Sequence, residues 1–278
     1  MGSGVSALRT FEKGLEVIGN NIANVNTTGF KGSSVEYADS FSNVLQQSTS
    51  NATTGSNTIA IGTGVSVAGI TTDFGQGQLS STGNSTDLGI SGNGFFTVKS
   101  PTDSTTYVTR AGNFSWDSNG YLVNLNGDRV QGVTGAGTVG DVQLGTPPVG
   151  TELTSATIDK SGNVVEFYSD GSSATTNQVL LQSFSNPAAL VAQGNNLFSG
   201  MAAAGPTSGS TTLSAAGANA PGTNGLGSIQ SGSLELSNVD LTAEFSNLIT
   251  AQRSFQAGSR LITVSDTVLD DIVNLKQR

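Results

Sequence analysis

Apolar residues near the start of the chain fall at Leu8, Phe11, Leu15, Ile18, Ile22 and Val25, in alternating steps of three and four. That spacing is a two-position heptad seam, and it predicts a helix over Gly4–Val25, roughly 33 Å long. Gly14 and Gly19 interrupt it, each costing about 1 kcal/mol against alanine, so the helix is too weak to stand alone. The pattern then breaks sharply. Asn20, Asn21, Asn24 and Asn26 are followed by two threonines, Gly29 and Phe30. Asparagine favours turns and glycine reaches the left-handed backbone that ends a helix, so these residues read as a helix exit with Phe30 as its anchor.

The far end repeats the pattern at greater length. Leu241, Leu248, Phe255, Ile262 and Leu269 lie seven apart; Phe245 starts a companion row that turns polar at Gln252, Ser259 and Asp266. A second apolar stripe, Leu261, Val264, Val268, Ile272 and Leu275, occupies only the last turns and predicts a second neighbour there. Ser237 and Asp240 read as a capping box for a helix over Asn238–Lys276, with Glu244 placed against the N-terminal dipole. The two seams are expected to pair as a coiled coil that orders fully inside an assembly. A helical hairpin packed on a globular domain satisfies the same periodicity.

Between the ends the period changes to two. "VSVAGIT" alternates, "GFFTV" and "TYVTR" flank a turn-rich stretch, "NFSW" and "YLVNL" flank "DSNG", and "ATID" and "VVEFY" flank "KSGN". Short hairpins of this kind predict one or two antiparallel β domains. The expected class is therefore α+β, with a terminal helix at 1–30, an extended connector at 31–61, β structure at 62–200, a low-complexity connector at 201–236 and the second helix at 237–278. Gln46–Asn57 reads as an exposed extended loop, and Met201–Gly225 as a surface-hugging connector whose large apolar residue after Met201 is Leu213.

Composition narrows the function. Only 11% of the 278 residues are charged and 37 are glycine, which suits a surface packed against copies of itself. With 11 basic and 20 acidic residues there is no nucleic-acid footprint. The absence of cysteine and histidine removes disulfides, thiolate zinc sites and the commonest general base, so no metal or cofactor is expected. The enzyme reading left is a carboxylate-only glycosidase using Asp117 with Asp128, or Asp159 with Glu166, but these sit in strand–turn contexts and read as turn or surface residues. "DSNG" and "DKSG" read as hairpin turns rather than calcium loops. A secreted adhesin or carbohydrate-binding β protein is a further alternative, which the terminal seams disfavour. No stretch approaches the roughly 18 apolar residues of a membrane span, so no membrane insertion is expected. The N-terminus reads as amphipathic rather than as a cleaved leader, and its "MGSGVS" match to a myristoylation pattern is too short to be specific.

Four motifs are longer. "VIGNNIANVNTTGFK" resembles the N-terminal signature of the bacterial flagellar rod and hook proteins. "TGNSTDLGISGNGFF" resembles their central signature, at Thr82, Gly83, Asn84, Asp87, Leu88, Ile90, Gly92, Gly94, Phe95 and Phe96; "FSNPAALVAQGNNLF" and "SNVDLTAEFSNLITAQRSF" resemble the later ones. The resemblance implies a terminal coiled-coil domain lining a channel, β domains around it, and self-assembly into a helical tube. It also implies an extracellular place in the flagellum, export without a cleaved leader, and, as partners, the distal rod protein, hook cap, hook–filament junction protein and export gate. The last motif is closest to the hook, so a flexible hook subunit that transmits torque is the expectation. Chain length favours the alternative, the stiff distal rod, because many hook subunits carry an additional outer domain.

Overall fold

The computed structural model describes residues 2–46, 50–51, 54–55, 59–135, 137–207, 213 and 219–275. The chain divides into two compact units. One comprises Met1–Ala23, Gly32–Asp73 and Val239–Arg278; the other comprises Asn24–Lys31 and Phe74–Asn238.

The first unit holds both long helices, Gly2–Ala23 and Leu241–Leu275, and a β arm. In the arm, Ser33–Asp39 runs antiparallel to Val65–Thr72, from Ser33 opposite Thr72 to Asp39 opposite Val65, with a bulge between Glu36 and Tyr37. Ser42–Gln46 against Ile59–Gly62 and Ser50–Asn51 against Thr54–Gly55 extend it. The stretch expected as an extended connector, 31–61, is thus largely paired, and β pairing belonging to the first unit continues to Thr72 rather than giving way to the β domain at 62. The alternation in "VSVAGIT" marked a real strand, but its partner lies upstream, a pairing that periodicity does not reveal. Ser50–Asn51 and Thr54–Gly55 form a small ladder within the Gln46–Asn57 tract, while 47–49, 52–53 and 56–57 lie outside the described residues.

The C-terminal helix begins one turn later than the capping box predicts. Asp240 is itself the cap: its Oδ1 accepts the backbone N–H of Thr242 at 2.8 Å. An acidic cap satisfies orphan donors and complements the dipole at once, and this leaves Ser237 outside the helix.

The second unit is built on a sheet in which every neighbour is antiparallel. Its order is Leu153–Ile158, Asn163–Tyr168, Ser173–Val179, Arg129–Val133, Phe95–Lys99, Thr106–Thr109, Leu197–Ser199 and Val191–Gly194. The predicted hairpins around "KSPTDST", "DSNG" and "KSGN" are all present. Phe95–Lys99 is buried on both faces: Phe96 and Val98 join Leu88, Ile90, Leu181 and Ile229, while Phe95 packs with Val108, Phe184 and Phe198. The low-complexity tract also contributes. Leu213 is buried, and Asn219 exchanges two hydrogen bonds with the backbone of Leu181.

Two ladders close this unit. Ser228–Ser231 pairs with Leu88–Ser91, and Ser233–Glu235 pairs with Leu79–Ser81, so the chain leaves beside the strand by which it entered. At the last rung lies a fully buried ion cluster. Glu235 accepts from Lys31 Nζ at 2.7 Å, from Arg110 Nη1 at 3.1 Å and from the Gly77 N–H at 2.8 Å. Arg110 also lies over the Phe95 ring, and burial pulls its guanidinium below its usual pKa while Glu235 resists that shift.

Candidate assembly interface

The two long helices pair antiparallel within the first unit. Asn21 Nδ2 donates to Glu244 Oε1 at 2.9 Å; further along, a Cβ on Gly258 would lie 3.2 Å from Leu8, and one on Gly4 would lie 3.4 Å from Ile262. Steps along one helix match opposite steps along the other to within a residue. Gly4 and Asn21 on the first helix and Ala251 and Gly258 on the second are buried small or polar residues at this contact, while Thr10 and Gly14 are buried against the arm, Thr10 donating to the Val65 carbonyl at 3.2 Å. Glycine at these positions lets the helices and the arm approach closely: Tyr37 of the arm stands against Gly14 and edge-on to Phe11, at 6.1 Å between ring centroids.

The predicted seams are therefore placed differently from expectation. Leu8, Phe11, Leu15, Ile18 and Ile22 are half-buried on the first helix, but Val25 lies past its end at Ala23, in the exit turn. On the second helix Leu248 and Ile262 are half-buried toward the partner helix, whereas Leu241, Phe245, Phe255 and Leu269 are exposed. A heptad repeat marks an apolar stripe without saying what covers it. Here small residues mediate much of the pairing inside the chain, and much of the large apolar seam on the second helix faces outward.

The overhang is the more telling feature. In this register Val264 lies opposite the start of the first helix, so about three turns of the second helix extend beyond it, roughly 16 Å. Along that length Val264, Val268 and Ile272 are 60%, 52% and 56% exposed, and Leu261, just before it, is 63% exposed. Covering them would contribute on the order of 1 kcal/mol each.

The exit residues divide the work. Asn21 is buried and bonds Ser33 in both directions, at 2.7 and 3.0 Å, besides Glu244. Asn24 accepts from Thr27 through its backbone and its side chain, while Asn20 and Asn26 are exposed. Gly29 has φ +67°, and a Cβ there would lie 2.6 Å from the Ala111 nitrogen; Phe30 beside it is half-buried. Lys31 then enters the ion cluster. Arg110 and Glu235 escaped the sequence reading because they lie 125 positions apart; the signal available was that charge is scarce in this chain.

The carboxylates weighed for catalysis are engaged in structure. Asp159 Oδ1 accepts from the N–H groups of Ser161 and Asn163, Asp117 from Asn119, and Asp128 from Asn124. Glu166 is buried and accepts from Gly145, Tyr168 and Thr176. Among the described residues no group of acidic side chains has the makings of a metal site, and no helix is long and apolar enough to cross a membrane.

A family model described as the flagellar hook protein FlgE/F/G D1 domain matches residues 89–166, one for the flagellar basal body rod FlgEFG protein C-terminal matches 230–275, and one for the flagella basal body rod protein matches 1–31. The flagellar basal-body rod protein FlgG of Bacillus subtilis is 39% identical over 99% of this chain and 98% of its own length. The chain belongs to the flagellar rod and hook family. Another FlgG, from Caulobacter vibrioides, is 34% identical over 98% of this chain and all of its own. The hook protein FlgE of Borreliella burgdorferi is 44% identical, but over 47% of this chain and 30% of its own length. The flagellar motifs map onto packing positions: Leu88, Ile90, Phe96 and Leu197 into one core cluster, Phe95, Phe184 and Phe198 into the other. As a family member the protein is a structural component of the basal body and hook.

Proposed function

We propose that the chain is a basal-body rod subunit, of the distal-rod kind, which polymerises with its own copies into the stiff axial tube. The observation that carries this is end-to-end correspondence with rod proteins, against a hook match that stops at less than half of the chain. The C-terminal motif on which the hook expectation rested weighs less than that coverage. In this reading the outward apolar residues, Leu241, Phe245, Phe255 and Leu269 with the overhanging stripe, pack against neighbouring copies, and the seam of the first helix supports them from within the chain. Polymerised full-length protein viewed by electron microscopy tests it. Straight tubes are expected. Curved, supercoiled tubes would return the assignment to the hook, and a chain that stays monomeric at high concentration would overturn the subunit reading itself.

A further inference from the structure

Asn24, Thr27 and Thr28 of the helix exit form one wall of a cleft in the second unit that the assembly reading leaves unused. It has a volume of about 360 Å³, and four separate segments bring Asn24, Asn113, Asn124, Asn126, Asn195 and Asn196 to its lining, with no charged side chain among them. Its walls are fixed. Asn124 Oδ1 accepts the N–H groups of Asn126 and Asp128 at 2.9 Å each, Asn195 and Asn196 hold left-handed backbone, and Asn196 donates to the Thr28 carbonyl at 2.7 Å. Among the described residues, Asn113, Asn126 and Asn195, by contrast, spend no side-chain amide on another group. Each offers two donors and an acceptor carbonyl. Beside them Leu125 stands 82% exposed, an apolar residue ringed by amides. Free neutral donors around an apolar contact suit an uncharged polypeptide segment rich in carbonyls. No aromatic ring lines the cleft to stack on a sugar, which disfavours a carbohydrate.

The same unit carries a segment of that chemistry. Thr146–Gly150, "TPPVG", is exposed along its length and uncharged, and Val149 at its tip is fully exposed. Its two prolines fix the backbone and remove two N–H donors, which leaves the segment richer in carbonyls than in donors. Its root is rigid: buried Glu166 accepts the Gly145 N–H at 2.8 Å, and Thr151 closes the far side on the Pro148 carbonyl.

We propose that the asparagine cleft receives the Thr146–Gly150 turn of a second copy, with Val149 against Leu125 and the free amides donating to the turn's carbonyls. Because knob and cleft are different parts of one surface, the contact is head-to-tail, and such contacts generate open helical assemblies rather than closed pairs. The proposal rests on the rod-subunit reading and names one contact between its β units.

The chain has no cysteine, so a cross-link tests it cleanly. Leu125→Cys and Val149→Cys are made as separate full-length variants, mixed in equal amounts, polymerised and oxidised. A disulfide dimer is expected from the mixture and from neither variant alone, and absent when Leu125→Cys is mixed with Phe167→Cys, another exposed position of the unit. Polymer that forms from the mixture without the dimer overturns the contact and leaves the subunit reading standing. Failure of the unmodified chain to polymerise overturns both. Shifts of the Asn113, Asn126 and Asn195 amide signals on adding a neutral oligosaccharide to monomer would overturn the contact in favour of a sugar site.

Discussion

Replacing Glu235 by alanine removes the single carboxylate shared by two buried cations, and its cost follows from the cluster geometry. The side chains of Lys31 and Glu235 are wholly buried and that of Arg110 nearly so, with N–O distances of 2.7 and 3.1 Å. Breaking a buried pair by deleting one member costs about 3–5 kcal/mol, because a desolvated charge is left behind. The Gly77 N–H loses its acceptor as well, about 1 kcal/mol more. A domain of this kind is stable by about 5–15 kcal/mol, so the loss is a large fraction of the total. With a urea slope of about 2 kcal/mol per molar, the midpoint should fall by about 2–3 M. The assay is urea unfolding followed by the fluorescence of Trp116, the single tryptophan, which packs against the core of the same unit. Arg110→Met and Glu235→Gln, alone and together, complete a cycle whose double variant should be at least about 1 kcal/mol more stable than the summed single losses imply. A loss below about 1 kcal/mol for Glu235→Ala, or a strictly additive cycle, would refute the view that this cluster holds the unit together.

Gly29→Ala forces a side chain into a left-handed backbone and against the Ala111 nitrogen, so it should cost about 2 kcal/mol or more in the same urea assay. Val268→Asp changes an exposed position: the Trp116 unfolding curve should stay where it is, while the concentration needed for polymerisation, read by light scattering, rises at least about tenfold. Gly258→Leu drives a side chain toward Leu8 and should lower the helical circular dichroism of the monomer, which Val268→Asp should not. Asp170 is held below the usual carboxylate pKa by the hydroxyl and N–H of Ser172. Its contribution to stability is therefore present above the unfolded carboxylate pKa, about 4, and is lost as pH falls through the lower folded value. The stability gap between the parent chain and Ser172→Ala should close correspondingly in acid.

The helices and hairpins were legible because each is announced locally: a heptad within one segment, a turn between two alternating runs. What was not legible depends on partners distant in sequence. The strand "VSVAGIT" declares its two faces but not that "SSVEYAD" pairs with it. The seam at Leu241, Phe245 and Phe255 declares an apolar stripe but not that Ala251 and Gly258, one face over, make the contact inside the chain. Lys31, Arg110 and Glu235 show nothing singly, since a lone charge in a polar sequence is as readily a surface residue as a buried one. Asp240 was read as the inner member of a capping box, whereas an aspartate that caps directly needs no serine before it.

The closing ladder has a mechanical side. Its strands, Leu79–Ser81 and Ser233–Glu235, are entered and left at the same end. Tension drawing the two chain ends apart would open it as a zip opens, one rung at a time, beginning at Leu79 and Glu235. That first rung is where the buried ions are gathered. A peeling load therefore meets its greatest resistance at the outset, before any strand of the main sheet bears strain, while a load that moves both ends together leaves the ladder untouched. The unit is thus clamped at the end where a peeling load would enter it.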